Sequence, residues 1–213
     1  LASNVLLSGK SCLVEKPLTL ESSHAAELVD IAQTQKLTLL VDDTWMYHSE
    51  VAKRRIKKEN GSLASLYIWG NLRKEITEEG ILWTQGPHPV SLMLNSYQQV
   101  PSKVTGCLSE REAWLEYHFP GEGRIAEVLL LWKPMPKTRS YWWYAGETGG
   151  CFFDAATMLP NPEPLFVLCD TFLKAVYLKS ARVDTHAVKV VEALEMAEES
   201  LQVIKETHAR PVD

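Results

Sequence analysis

Apolar and polar positions over the first 41 residues follow two rhythms. Ser11-Cys12-Leu13-Val14 is a short run of the kind a strand makes. Ala25, Leu28, Val29 and Ala32 then recur at spacings of three and four, the period of an amphipathic helix. Thr19 is the expected N-cap of that helix. Leu37-Thr38-Leu39-Leu40-Val41 predicts a strand covered on both faces. Strand, helix and strand within roughly 30 residues predict a βαβ unit with parallel strands and a right-handed crossover.

After residue 50 the pattern changes. "VAKRRIKKENG" reads as a helix with a solvated basic face, and "LASLYIWGNLR" alternates like a strand. "ILWTQGPHPVSLMLNSY" holds a Gly-Pro break and then a helix. Strand-like runs follow at 103–109, 112–119, 124–133, 139–144 and 150–153, separated by turn residues. Neighbouring strands with short turns predict an antiparallel sheet. "PNPEP" at 160–164 is an irregular connection, and two helices close the chain at about 165–178 and 185–206. The predicted layout is a small parallel α/β piece followed by an α+β domain on an antiparallel sheet.

Composition narrows the function classes. The 213 residues are enough to bury a sizeable core, and 46% hydrophobic with 23% charged residues is ordinary for a globular chain. A net charge of -5 leaves no basic footprint, so no nucleic acid is expected as a partner. No apolar run approaches the length of a membrane span, so no membrane is expected either. Cys12, Cys107, Cys151 and Cys169 show no C-x-x-C spacing, so neither a metal site nor a redox pair is indicated. Scattered thiols suit a reducing, cytoplasmic setting.

Two short stretches carry candidate chemistry. "GEGRIA", Gly121 to Ala126, matches a dinucleotide fingerprint in letters only. That fingerprint works between a strand and a helix, whereas here strand-like runs lie on both sides, so a hairpin turn is expected. Glu15-Lys16-Pro17 closes the first strand. In an open α/β sheet ligands sit beyond the carboxyl ends of the strands, and Lys16 stands at such an end. Pro17 holds Lys16 away from helical geometry, and the bond between them can be cis. A lysine there can donate to a ligand hydroxyl, or it is a surface lysine before a turn proline.

The segment "GKSCLVEKPLTLESSHAAELVDIAQTQKLTLLVDDTWMYHSEV" resembles the E-K-P segment of the Gfo/Idh/MocA family of oxidoreductases. Gly9, Glu15-Lys16-Pro17, Leu39-Leu40-Val41 and Trp45-Met46-Tyr47-His48 fall in the family's order. "GILWTQGPHPVSLML" is similar to the family's segment with an aspartate four residues before a histidine. "EPLFVLCDTFLKAV" with "HAVKVVEALEMAEESLQ" resembles its closing helices. Together these span nearly the whole chain.

The resemblance implies an α/β fold: a remnant of a parallel Rossmann sheet over 1–47, joined to an α+β domain with an open, mainly antiparallel sheet over 48–213. It implies a chain lacking the first Rossmann strands and the phosphate-binding turn. It implies hydride transfer between NAD or NADP and a hydroxyl-bearing carbon of a sugar, sugar nucleotide or cyclitol. Glu15, Lys16, Pro17 and Trp45 would face the cofactor; Lys16, Tyr47, Thr84, Gln85 and His88 would face the substrate. Lys16 and His88 would carry the chemistry, His88 as acid/base, since an imidazole ordinarily titrates near about 6.5. The family's aspartate falls on Thr84, which cannot hold a charge, so Asp42 or Asp43 would have to supply it, or the acid/base pair is weakened. His48 stands where the family often has asparagine.

Against these stand structural readings: Trp45 and Tyr47 as core packing, and His88 as a helix cap or satisfied core histidine. "SYWWYAG", residues 140–146, is read as a sheet edge or as the face that pairs subunits into a homo-oligomer, ahead of a sugar platform. The alternative function is a non-catalytic domain that binds a sugar or a partner through its open sheet.

Overall fold

The computed structural model describes residues 1–48, 63–70, 80–109, 112–121, 125–133, 138–145 and 163–208. The expected basic helix in 51–61 and the strand at 150–153 lie outside the described residues, as do 122–124 of "GEGRIA", 146 of the aromatic run and 160–162 of the connection.

The chain forms two compact units. The first comprises Leu1–Arg54 and Pro160–Glu192, and the second Arg55–Leu159 and Ala193–Asp213. This differs from the boundary at 47/48, which assigned everything downstream to the second domain. Residues 160–192 return to the first unit because their backbone completes its sheet. Leu39 donates its N–H to the Arg182 carbonyl at 2.9 Å, and Asp184 donates to the Leu39 carbonyl at 2.9 Å. Val183 thereby bridges Leu39 in parallel.

In the first unit, helix α1 (Ala2–Leu7) precedes strand β1 (Cys12–Val14), helix α2 (Ser22–Thr34) and strand β2 (Leu39–Val41). Gly9 ends α1 with φ +76°, a conformation that suits glycine, while its N–H donates to Leu6. β1 and β2 pair in parallel, with Leu13 opposite Leu40 and Val14 opposite Val41. Every residue of β2 is buried, as the apolar run predicts. Ala25, Leu28, Val29 and Ala32 are the buried positions of α2, so the period of 3.6 sets the face that meets the sheet. Thr19 is not the N-cap. Glu21 occupies that position without a side-chain cap, and the Thr19 hydroxyl instead donates to the Glu21 carbonyl at 2.6 Å. A 3-10 turn at Thr44–Tyr47 follows β2, and helix α5 (Pro164–Tyr177) packs against it.

The second unit is built on a five-stranded sheet ordered β4-β5-β6-β3-β7. Its strands are β3 (Leu63–Gly70), β4 (Lys103–Leu108), β5 (Glu112–His118), β6 (Ile125–Lys133) and β7 (Thr138–Ala145). Among the described strands of this sheet, β3 and β6 run parallel and the other pairs are antiparallel. β5 and β6 pair antiparallel, so the Gly121 region links two strands of a hairpin, as the surrounding pattern predicts. Helices α3 (Gly80–Gln85) and α4 (Pro87–Tyr97) lie against β3, β5 and β6.

Alternation decides the two faces of this sheet. On β5, Ala113, Leu115 and Tyr117 are fully buried, whereas Trp114 between them is 38% exposed. Ala126, Val128 and Leu130 of β6 continue the buried face. Each buried Leu or Val side chain among them contributes about 1.5–3 kcal/mol, and each Ala methyl less. On the other face, Trp114 stands opposite Cys107 on one side and Leu129 on the other. Helix α6 (His186–His208) starts in the first unit and ends in the second.

Candidate functional site

The E-K-P turn emerges where β1 ends. The Asp42 N–H donates to the Val14 carbonyl at 2.7 Å, so the turns leaving β1 and β2 lie side by side at the carboxyl end of the parallel pair. The Lys16–Pro17 peptide is cis. Glu15 is exposed, Lys16 and Pro17 are half-buried, and Leu18 anchors the turn in the core. The turn therefore holds Lys16 just beyond the carboxyl end of the parallel pair.

Trp45 and Tyr47 lie on the 3-10 turn after β2, both half-buried. The Trp45 ring stacks on His48 at 6.3 Å between centroids, and His48 is 1% exposed. Tyr47 opens onto a cleft of about 460 Å³ within the first unit. Leu40, Asp43 and Met46 line it from β2 and the turn that follows. Thr171 of α5 and Arg182, Val183, Asp184 and His186 line it from the other side. Burial, then the carboxylates of Asp184 and Asp43, push the Tyr47 phenol up to about 12, with Arg182 opposing. Burial, then repulsion from Asp43, raises Asp184 above the ordinary carboxylate value; His186 and two backbone N–H groups act against this. Those donors are His186 and Ala187, at 3.1 and 3.2 Å from Asp184 Oδ1, so Asp184 secures the start of α6.

Thr84, Gln85 and His88 lie in the second unit, on α3 and at the start of α4. The Thr84 hydroxyl donates one turn back to the Gly80 carbonyl at 2.7 Å. Gln85 is 6% exposed and His88 5%. Gly86 separates the two helices because a Cβ there would collide with the Leu82 carbonyl oxygen and lie 2.9 Å from Leu194 Cδ2. Pro87 then opens α4 at its first turn, where a missing N–H costs nothing. Gly86 and Pro87 thus fix where His88 leaves the backbone.

Similar chains extend this picture. No family model and no curated protein sequence matches the chain. Solved structures do. GenD2 from gentamicin A biosynthesis, in complex with NAD, aligns with a TM-score of 0.73 at 22% identity, over 94% of this chain and 72% of that one. UDP-N-acetylglucosamine 3-dehydrogenase GnnA from Acidithiobacillus ferrooxidans aligns at 0.74 and 15% identity, over 95% and 74%. Myo-inositol 2-dehydrogenase from Lactobacillus plantarum aligns at 0.76 and 11% identity, over 95% and 74%. The chain has the fold of these dehydrogenases. It spans about three quarters of the length of those solved chains.

Lys16, half-buried, follows β1, and Trp45 lies on the turn after β2, at the same end of the parallel pair. Among the described residues no glycine-rich turn joins a parallel strand to a helix N-terminus, the arrangement that cradles a pyrophosphate. Among them, too, no helix is long and apolar enough to cross a membrane.

Sequence reasoning missed Thr171, Arg182, Asp184 and His186, which meet Asp43 and Tyr47 across 120 or more residues of chain. The available signal was "RVDTH", a charged segment with an Asp just ahead of a helical period. It marks a helix start, but nothing in it points to β2.

Proposed function

We propose that the chain belongs to an NAD(P)-dependent oxidoreductase that moves hydride to or from a hydroxyl-bearing carbon of a sugar, sugar nucleotide or cyclitol. The observation that carries this reading is the E-K-P turn, with Lys16 at the carboxyl end of a parallel strand pair in a chain with this dehydrogenase fold. Glu15, Lys16, Pro17 and Trp45 face the cofactor in this reading, and Tyr47, Thr84 and Gln85 join Lys16 at the substrate. The nicotinamide, when bound, accepts or delivers the hydride.

The chain's own residues handle position and protons. Lys16 donates from its ammonium to the reacting hydroxyl and to a ribose oxygen, fixing the carbon against the cofactor. His88 takes the hydroxyl proton in oxidation and returns it in reduction. In place of the family's carboxylate, Thr84 offers a hydroxyl whose proton is directed to Gly80, so the imidazolium formed at His88 gains less from it. The half-exposed face of the sheet around Trp114 pairs a second copy of the chain.

Turnover tests the reading. The protein is given NAD+ or NADP+ with a panel of sugars, sugar nucleotides and cyclitols, and reduced nicotinamide is followed. Reduced nicotinamide is expected from at least one substrate, with Lys16→Met and His88→Asn each lowering kcat by 100-fold or more, roughly the worth of a general acid/base. No turnover across the panel by a protein that carries this chain together with a phosphate-binding turn, with no change in tryptophan fluorescence on adding either dinucleotide, would overturn it.

A further inference from the structure

Helix α5 carries two apolar faces, and the fold covers one of them. Pro164, Leu168 and Ala175 are its buried positions. Leu165, Phe166, Leu173, Val176 and Tyr177 lie on another side, within about a third of the helix circumference at 3.6 residues per turn. All five are exposed, Phe166 and Leu173 at 64% and Tyr177 at 87%. With Leu178 at the C-cap, this helix accounts for six of the ten exposed large hydrophobic side chains among the described residues. Such a concentration is a patch, unlike the single apolar residues scattered over most surfaces. We propose that this face pairs with the same face of a second copy of the chain, the two α5 helices lying antiparallel about a two-fold axis.

Charge favours that partner. The charged residues of α5 are Asp170 and Lys174, which pair at 2.7 Å across one turn beside the apolar stripe. A two-fold axis that sets α5 antiparallel to itself brings the same flank of each helix together in reverse order. Asp170 then faces the partner's Lys174, and Lys174 faces the partner's Asp170. A parallel arrangement would oppose like charges, and a wholly acidic or wholly basic surface would do so at one of the two positions.

Area sets the strength. At about 150–200 Å² for each fully exposed side chain of this size, the stripe offers roughly 600 Å² of mostly apolar surface. A standard interface takes about 800 Å² from each partner, so this one falls at the weak end, with a Kd of about 100 µM. Growth of the parallel sheet would not cover the stripe. β2 has β1 on one edge and Val183 on the other, so an added strand would pair at the outer edge of β1, whereas α5 leads directly into Val183.

Sedimentation equilibrium of Trp114→Glu, which removes pairing through the sheet face, tests this from about 10 to about 500 µM, either side of that Kd. A reversible dimer is expected. Phe166→Glu or Leu173→Glu, added to that variant, is expected to raise Kd tenfold or more, with Tm unchanged because both side chains are exposed in the single chain. Asp170→Lys and Lys174→Asp are each expected to weaken the pairing, and mixing the two variants to restore it. Absence of association over the whole range would overturn the proposal. So would association that Leu173→Glu leaves intact, or a mixture no tighter than its parts. A fall in Tm in Leu173→Glu would show the face packed within the folded protein, and binding to phosphatidylcholine vesicles without self-association would assign it to a membrane; either result also overturns the pairing. Nicotinamide turnover does not depend on this contact, so its failure and that of the oxidoreductase reading are told apart.

Discussion

The hydroxyl of Tyr97 donates to the carbonyl of Ile125 at 2.7 Å, joining the last turn of α4 to the first residue of β6. The same ring stacks on Phe119 at 4.0 Å with the planes 8° apart. Both rings are at most 3% exposed, so the contact fastens the helix that begins with Pro87-His88 onto the sheet. Tyr117, also buried, is different: its hydroxyl meets no hydrogen-bond partner among the described residues.

These two tyrosines should respond oppositely to loss of the hydroxyl. Tyr97→Phe removes a made hydrogen bond and is expected to cost about 1 kcal/mol. Tyr117→Phe removes a desolvated hydroxyl and is expected to be neutral or stabilising. Urea denaturation of both variants checks this. Equal losses would mean that the Tyr117 hydroxyl has a strong partner.

Gly86 sits where α3 turns into α4, and its place is set by space, since φ there is an ordinary -59°. A methyl group would press on the backbone of Leu82, which cannot rotate away, and on the side chain of Leu194. Gly86→Ala is expected to destabilise by about 1–3 kcal/mol, the usual cost of overpacking. Because the shift falls next to His88, kcat should fall in the same variant. A thermal melt with an activity assay reads both; an unchanged melt would mean that the helices part freely.

Much of this fold was legible because the chain's periods are clean. The buried face of α2 and the buried strand β2 follow from positions 25–32 and 37–41 alone. The strands β4 to β7 fall within a residue or two of the apolar runs that predict them. What pattern could not supply is partnership over distance. Nothing in "LASLYIWG" says that it runs parallel to β6 in the middle of an otherwise antiparallel sheet. Nothing in "RVDTH" says that Val183 extends the parallel sheet at Leu39, which is why the domain boundary came out differently. The helix start also misled: Thr19 has the right side chain, but Leu18 is drawn into the core and helical geometry begins at Ser22. Of the candidate residues, the position of Lys16 past a strand end and of His88 at a helix start was legible, because Pro17 and the Gly86-Pro87 pair constrain the backbone beside them. The Tyr47 cleft was not, because its charges come from both ends of the sequence.

Trp114 of β5 is 38% exposed on the face opposite the buried one, with Cys107 and Leu129 as cross-strand neighbours. Close by, His118 and Glu116 pair at 2.7 Å on the same strand. If this face joins two copies around Trp114, a carboxylate there would be desolvated without a partner. Trp114→Glu is expected to convert dimer to monomer in sedimentation velocity, leaving the far-UV circular dichroism unchanged. A parent protein that sediments as a monomer at all concentrations would remove the basis for that expectation.

Asp184 gives the pH dependence. Burial and the nearby Asp43 carboxylate raise its folded-state pKa above the ordinary 3.8, so the folded chain holds this proton more tightly than the unfolded chain. A group with a raised folded value contributes its full stability below the unfolded value and loses it as pH rises through the folded one. The ionised carboxylate is therefore a net liability in the folded chain, despite its interaction with His186. Asp184→Asn removes the charge and keeps an Oδ1 that can accept the His186 and Ala187 N–H groups. Its Tm is expected to exceed that of the parent protein at pH 7, and the difference should shrink as pH falls toward about 4. A variant less stable at pH 7 by the same amount at every pH would show that the cap needs the charge, and that repulsion from Asp43 is minor.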